Sequence, residues 1–134
     1  MNADPAVELE VVETRTLRLW MCANGFLRGV AKRGQNQSYL DAKANIAAAS
    51  TLTRGTPRPF LLDIRNAGTL SRAARQHYSS EQGAAVAAAI GFLTDSPFSR
   101  IAGNIFIRTG RGHFPLRLFT SEATALEWLR EYLP

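Results

Sequence analysis

Five polar residues fall close together where a strand is predicted to end and a helix to begin. A short apolar run predicts a buried strand, and Asp63 and Arg65 lie at its carboxyl end. After a turn, Ser71 is the predicted N-cap of a helix that carries Arg72 and Arg75. Backbone N–H groups at a helix start and guanidinium groups both favour an anion. We therefore predict that these five residues form a binding site for an anionic group.

The same residues also have an interpretation that needs no ligand. Asp63 can pair with Arg65, and Ser71 can act only as a helix cap. The other arginines then form a solvated positive face. Composition does not decide between the two, because the net charge of +5 arises mainly from nine arginines and three acidic residues between positions 54 and 117.

The sequence carries no recognisable catalytic, metal-binding or nucleic-acid pattern. None of the common hydrolase, zinc, phosphate-loop or dinucleotide motifs occurs. His77 and His113 are each expected to be surface or capping residues, and Cys22, the single cysteine, is expected to be a small buried apolar residue. Basic runs interleaved with aromatic residues are absent, so nucleic acid is not a favoured partner. We predict a non-enzymatic protein without catalytic residue, metal or cofactor.

An antiparallel meander of three short strands is predicted for the first third of the chain. Residues 8–13 and 16–21 alternate between polar and apolar side chains, and a third run covers 26–30. Asn24 and Gly25 are the strongest hairpin signal, because both tolerate a positive φ. The chain therefore begins as a sheet rather than as a helix bundle.

The next elements are predicted to be a helix and then the central strand. Asn36 or Ser38 can cap a helix over residues 39–53. Its buried stripe is predicted from helical spacing: Leu40, Ala44, Ala47, Ala48 and Leu52. The strand that ends at Asp63 follows this helix.

Later segments continue the alternation of helices and strands. Alanine favours helix in residues 84–93, but glycines bracket this run and a strand fits the alternation, so we predict a strand. A helix is predicted from Ser96 and Pro97, then a strand over 114–119 and a final helix capped by Thr120 or Ser121. The predicted fold is a single α/β domain over residues 1–134. Its mixed sheet has about five strands, an antiparallel N-terminal meander and then parallel strands, with about four helices.

Three segments together resemble a known family. Residues 57–65 with 71–75, residues 96–104, and residues 115–129 are similar to an uncharacterised bacterial branch of the SpoIIAA-like, STAS/SEC14-type domains. The resemblance implies a small non-enzymatic α/β domain. STAS proteins such as anti-sigma factor antagonists bind protein partners, and the SEC14 side of the family implies an apolar ligand pocket.

Some STAS proteins are switched by phosphorylation of a hydroxyl at the start of the helix after the central strand. Ser71 occupies that place here, after the strand that ends at Asp63. The family's Asp-Ser-Ser/Thr-Gly is replaced by residues 70–73, Leu-Ser-Arg-Ala, with Arg72 where the modified hydroxyl is expected. We therefore predict that Ser71 is a helix cap rather than a phosphorylation site.

The resemblance and the missing catalytic groups lead to one expected function and one alternative. We expect a cytoplasmic regulatory or adaptor domain that binds a protein partner, as a homodimer through the edge of the meander. The alternative is a domain that binds a small molecule or anion, with a lipid- or phosphate-bearing ligand in the crevice near Arg65, Arg72 and Arg75. The acidic start lacks a signal peptide and residues 84–93 are too short to span a bilayer, so we expect no membrane span.

Overall fold

A mixed β-sheet forms the centre of the computed structural model, which describes residues 10–95 and 114–134. Six strands of the described chain build it: β1 (Val11–Glu13), β2 (Leu17–Met21), β3 (Leu27–Ala31), β4 (Arg58–Asp63), β5 (Ala87–Leu93) and β6 (Leu116–Phe119). Their order across the sheet is their order in the chain. The first three pair antiparallel, and β3 to β6 pair parallel. The predicted combination of a meander with parallel strands is confirmed.

The helices begin at the hydroxyl caps that the sequence predicts. Those in the described ranges are as follows: α1 (Tyr39–Thr53), α2 (Arg72–Tyr78), α3 (Glu81–Ala84) and α4 (Glu122–Leu129), which runs into a short 3₁₀ turn, Arg130–Tyr132. Ser38, Ser71 and Ser121 each accept a hydrogen bond from a backbone N–H of the first turn. Each of these hydroxyls satisfies a backbone donor that would otherwise lack a partner within its helix. The helix predicted from Ser96 and the turn that carries His113 lie outside the described residues.

The alanine-rich run before residue 93 is a strand, as predicted. Strand β5 lies between β4 and β6, so both of its edges are paired, and apolar layers cover both of its faces. Ala87 and Ile90 belong to the apolar core on one face, and Ala89 and Leu93 to that on the other. A Cβ on Gly91 would lie 3.3 Å from side-chain carbons of Leu129 and Phe119, which belong to the apolar core under α4. Small residues here let the helices pack close to the sheet, which overrides the helix propensity of alanine.

The predicted buried stripe of α1 is confirmed at Ala48 and Leu52 and was wrong at its other three positions. Leu40 is 72% exposed, and Ala44 and Ala47 are also exposed. The face that packs on the sheet instead contains the following residues: Ala42, Asn45, Ala48, Ala49, Leu52 and Thr53. The prediction followed apolar residues only, and it missed the register because a polar residue, Asn45, lies in the middle of the buried face.

Two separate apolar layers cover the two faces of the sheet. The first lies under α1 and contains alternate residues of the strands, among them Leu19, Leu62 and Ile90. The second lies under α4 and contains Leu61 and Leu129 among others. None of the helices in the described ranges has the length and apolar content needed to cross a membrane.

Candidate functional site

Asp63 and Arg65 form a closed pair at the carboxyl end of β4. Arg65 Nε lies 3.0 Å from Asp63 Oδ1, and Arg65 Nη2 lies 2.6 Å from Asp63 Oδ2. The backbone N–H of Arg65 also donates to Asp63 Oδ1 at 3.0 Å. Burial opposes ionisation of Asp63, but the bonds and charge of Arg65 outweigh it and hold the pKa of Asp63 below its usual value. The guanidinium of Arg65 is therefore already paired with a carboxylate of the same chain.

The predicted residues of α2 have different roles from one another. Ser71 Oγ accepts the N–H of Ala74 at 3.1 Å, which is the predicted cap. Arg72 is exposed and has no ion pair or hydrogen bond within the described ranges, whereas Arg75 Nη1 donates to the carbonyl of Leu70 at 3.0 Å. In the part of the chain that the structure describes, no hydrogen bond or ion pair links these residues to the Asp63–Arg65 pair.

A large apolar cavity lies between α1, α2 and the first face of the sheet. Its volume is about 610 Å³, which is within the usual range for small-molecule sites. The described residues that line it come from β2, α1, β4, the loop between β4 and α2, the α2–α3 region, β5 and β6, together with Gln37 just before α1 and Phe114 just before β6. Its apolar wall includes the following side chains: Leu17, Leu19, Ile46, Phe60, Leu62, Ile64, Val86, Ile90, Phe92, Phe114, Leu116 and Leu118. We call this space the α1–α2 cavity.

A polar network forms one wall of the α1–α2 cavity, around the buried Asn45. Its Nδ2 lies 2.9 Å from Thr16 Oγ1, 2.8 Å from the Tyr78 hydroxyl and 3.3 Å from Gln37 Oε1. Thr14 donates to Asn45 Oδ1 at 2.5 Å, and the Tyr78 hydroxyl donates to Gln37 Oε1. These polar groups form hydrogen bonds with one another, so their burial costs little free energy although they no longer bond to water.

Tyr78 is the titratable member of this network. Burial in the cavity wall raises the pKa of Tyr78 to about 12, although the hydrogen bond from Asn45 lowers it somewhat. The phenol therefore stays protonated at neutral pH and can keep donating to Gln37. It acts as a fixed donor in the wall and not as a general base.

Arg75 supplies the one charge among the described residues that line the cavity. Its side chain is half-buried, and within the described ranges no carboxylate lies within ion-pair distance of it. The other described lining residues include no carboxylate, imidazole or thiol. In the part of the chain that the structure describes, the α1–α2 cavity is therefore mainly apolar and lined by one cationic group.

A second, open crevice lies outside the cavity, at the start of α1. Arg15 binds Asp41 through two contacts of 3.0 and 2.7 Å, and Asp41 also completes the cap with Ser38. The hydrogen bond from Arg15 is the main reason that the pKa of Asp41 lies well below its usual value. The crevice is about 490 Å³ in volume, and exposed Leu40 and the cap residue Ser71 also line it.

Comparison with known proteins places the chain in a family. The family model of a domain of unknown function, DUF7793, matches residues 19–133. The chain belongs to the DUF7793 family. No curated protein gave a match. The DUF7793 chain resembles a crystal structure of an uncharacterised DUF3478-family protein with a SpoIIAA-like fold from Shewanella loihica PV-4. The two share 14% identity over 90% of this chain and 91% of that one, with a TM-score of 0.57.

This similarity confirms the SpoIIAA-like α/β fold of the DUF7793 chain. The similarity says nothing about the site residues, because a likeness at 14% identity supports only a shared fold. Sequence reasoning missed Gln37, Asn45 and Tyr78 as members of one site. A polar residue at the centre of an otherwise alanine-rich helix was the available signal for Asn45, whereas no local pattern joins Gln37 to Tyr78, 41 residues later.

Proposed function

We propose that this chain is a non-enzymatic binding domain that holds a small, mainly apolar ligand in the α1–α2 cavity. The observation that carries the proposal is the chamber itself, with about 610 Å³ lined by aliphatic and aromatic side chains. Clefts of this size with a few polar groups are the usual form of ligand sites.

The described lining residues include no carboxylate or imidazole, which supports binding rather than catalysis. Tyr78 and Asn45 are polar but held in the satisfied network, and Ser79, a lining hydroxyl, has no basic partner among the described lining residues. Nucleophilic catalysis needs a base within hydrogen-bond reach of the nucleophile. The proposal therefore assigns the cavity to recognition.

A cavity-filling variant tests the proposal. Ala49 is 4% exposed and lines the chamber, so Ala49→Leu should fill space that a ligand would use. The matched control is Ala47→Leu, on the exposed side of the same helix. We expect wild type and the control to bind the neutral fluorescent probe N-phenylnaphthylamine saturably, and Ala49→Leu to lose this binding.

Stability of the same variants is a second measurement. If the space is available, Ala49→Leu should fold with an unfolding free energy equal to or above that of wild type. If other parts of the chain already occupied the space, the added carbons would destabilise the fold by about 1–3 kcal/mol. That loss, or equal probe binding by both variants, would contradict the proposal.

A second candidate function is the binding of a protein partner, as a regulatory or adaptor domain. The observation that favours it is the exposed apolar pair at the start of α1, Leu40 at 72% and Tyr39 at 44% exposure, beside the crevice that contains Ser71. Exposed apolar groups next to a polar crevice are common at interaction sites. Leu40→Asp should abolish capture of a partner, and Ala47→Asp should not; equal capture by both variants would exclude this surface.

The predicted homodimer and the cytoplasmic location stay predictions. The expected dimer edge, β1, has only three residues in the structure, and short edge strands offer few groups for pairing. Light scattering on the purified protein at several concentrations would test the dimer, with a constant monomer mass contradicting it.

A further inference from the structure

We infer that the ligand of the α1–α2 cavity is a carboxylic acid with an apolar body, and that Arg75 binds its carboxylate. This inference rests on the proposed function and adds the class of the ligand. It starts from the charge of the cavity, to which Arg75 alone contributes among the described lining residues.

The position of Arg75 is fixed from within the loop before α2. Its Nη1 donates to the Leu70 carbonyl at 3.0 Å, and Leu70 itself lines the cavity. This bond uses one of five N–H donors of the guanidinium. The remaining donors have no hydrogen-bonding or ionic partner in the described ranges, and a planar guanidinium suits the two oxygens of a carboxylate.

The other polar groups of the wall do not compete for this role. Gln37 Oε1 accepts from Asn45 and from the Tyr78 hydroxyl, which in turn accepts from Asn45. A ligand that used their hydrogen bonds would have to break the network and leave buried groups unpaired, which is costly. The network therefore acts as a closed polar wall, and Arg75 is the group left to orient an anionic head.

The rest of the lining determines what is attached to the carboxylate. Phe60, Leu62 and Ile90 belong to the apolar layer beneath the helices, and Phe92 and Leu116 continue the wall. Such surfaces gain free energy from burying hydrocarbon in proportion to its area. The same surfaces would leave a sugar or a nucleobase without partners for its polar groups. The fitting class is thus an aliphatic or aromatic monocarboxylic acid.

Calorimetric titration of the whole chain with matched ligands tests this inference. Decanoic acid and decanol share their chain and differ in the head, and naphthoic acid supplies the aromatic arm. We expect both acids to bind at neutral pH, and decanoic acid about tenfold or more tightly than decanol, because a hydrogen bond to a charged group adds that much. Tighter binding of decanoic acid would indicate an aliphatic ligand, and tighter binding of naphthoic acid would indicate an aromatic one.

Arginine variants test whether Arg75 is the residue that binds the carboxylate of the ligand. Arg75→Gln should remove the preference for decanoic acid, bringing its affinity down to that of decanol. Arg72→Gln is the matched control, since Arg72 lies on the same helix, is exposed and does not line the cavity. Arg75→Lys keeps the charge and should retain most of the preference, so it covers the case in which Arg75→Gln folds poorly.

The outcomes separate the inference from the proposed function. Equal affinity of wild type for decanoic acid and decanol would overturn the assignment of a carboxylate and leave a neutral apolar ligand. An equal loss in Arg72→Gln and Arg75→Gln would also overturn it, since net charge rather than a bound head would then be responsible. Failure of all the ligands to bind wild type would overturn both the inference and the proposed function.

Discussion

Replacement of Tyr78 by Phe tests the buried polar wall through its pH dependence. Burial raises the pKa of Tyr78 to about 12, while the phenol of an unfolded chain titrates near 10. The folded protein therefore holds this proton more tightly than the unfolded chain. The resulting stability is fully present below about pH 10 and is lost as the pH rises toward 12.

The magnitude follows from the two pKa values. At about pH 11 the unfolded phenol is mostly ionised and the folded one mostly protonated, so wild type should have lost about 1.4 kcal/mol relative to its stability at about pH 8. Tyr78→Phe has no phenol to ionise at this position, so its stability should not show this loss. At neutral pH the variant is the less stable one, because its ring removes one hydrogen bond from Asn45 and one from Gln37.

Urea unfolding followed by tryptophan fluorescence, at several values of pH, measures both proteins. Tyr39→Phe is the control for alkaline effects on the rest of the chain, since Tyr39 is 44% exposed. The stability difference between wild type and Tyr78→Phe should shrink by about 1.4 kcal/mol between about pH 8 and about pH 11. Parallel stability curves would refute the placement of this phenol in a buried network.

Three further substitutions test the packing around the site. Gly83→Ala should lower the unfolding free energy by about 2 kcal/mol or more, because its Cβ would lie 2.0 Å from the Tyr78 carbonyl oxygen; an unchanged urea midpoint would contradict this. Asn45→Ala should cost about 1–3 kcal/mol in the same assay, since it removes a hydrogen-bond partner from the buried Thr16 hydroxyl and one from Tyr78, and a cost near zero would argue against the network. Arg15 lowers the pKa of Asp41, so this carboxylate contributes stability above about pH 4 that is lost as the pH falls. Wild type should then lose stability relative to Asp41→Asn on acidification from about pH 5 to about pH 3, and equal losses would contradict that contribution.

Features encoded by neighbouring residues could be predicted from the sequence. The hairpin at Asn24 and Gly25 formed because Gly25 adopts a φ of 95°, and the caps at Ser71 and Ser121 bond within their own first turns. The pair of Asp63 with Arg65 is equally local, and it was one of the two alternatives derived from the sequence. Such features need no knowledge of the tertiary structure.

The cavity could not be predicted because it forms between elements distant in the chain. Asn45 meets Thr16 and Tyr78 across 29 and 33 residues, and no sequence pattern records those contacts. The grouping of Arg75 with Arg65 in one crevice stays a prediction, and within the described ranges the two arginines bond to different partners. Spacing gave their positions on a strand and a helix, but packing decided which surface each one joined.

Methyl NMR spectroscopy of the chain during titration with decanoic acid tests the central claim most directly. The two apolar layers of the sheet provide an internal comparison, since Leu62 and Ile90 line the cavity and Leu61 and Leu129 are buried on the opposite face. We predict saturable shifts of the Leu62 and Ile90 methyl groups, while those of Leu61 and Leu129 stay in place. Shifts confined to the opposite face, or none at saturating ligand, would contradict a ligand site under α1 and α2.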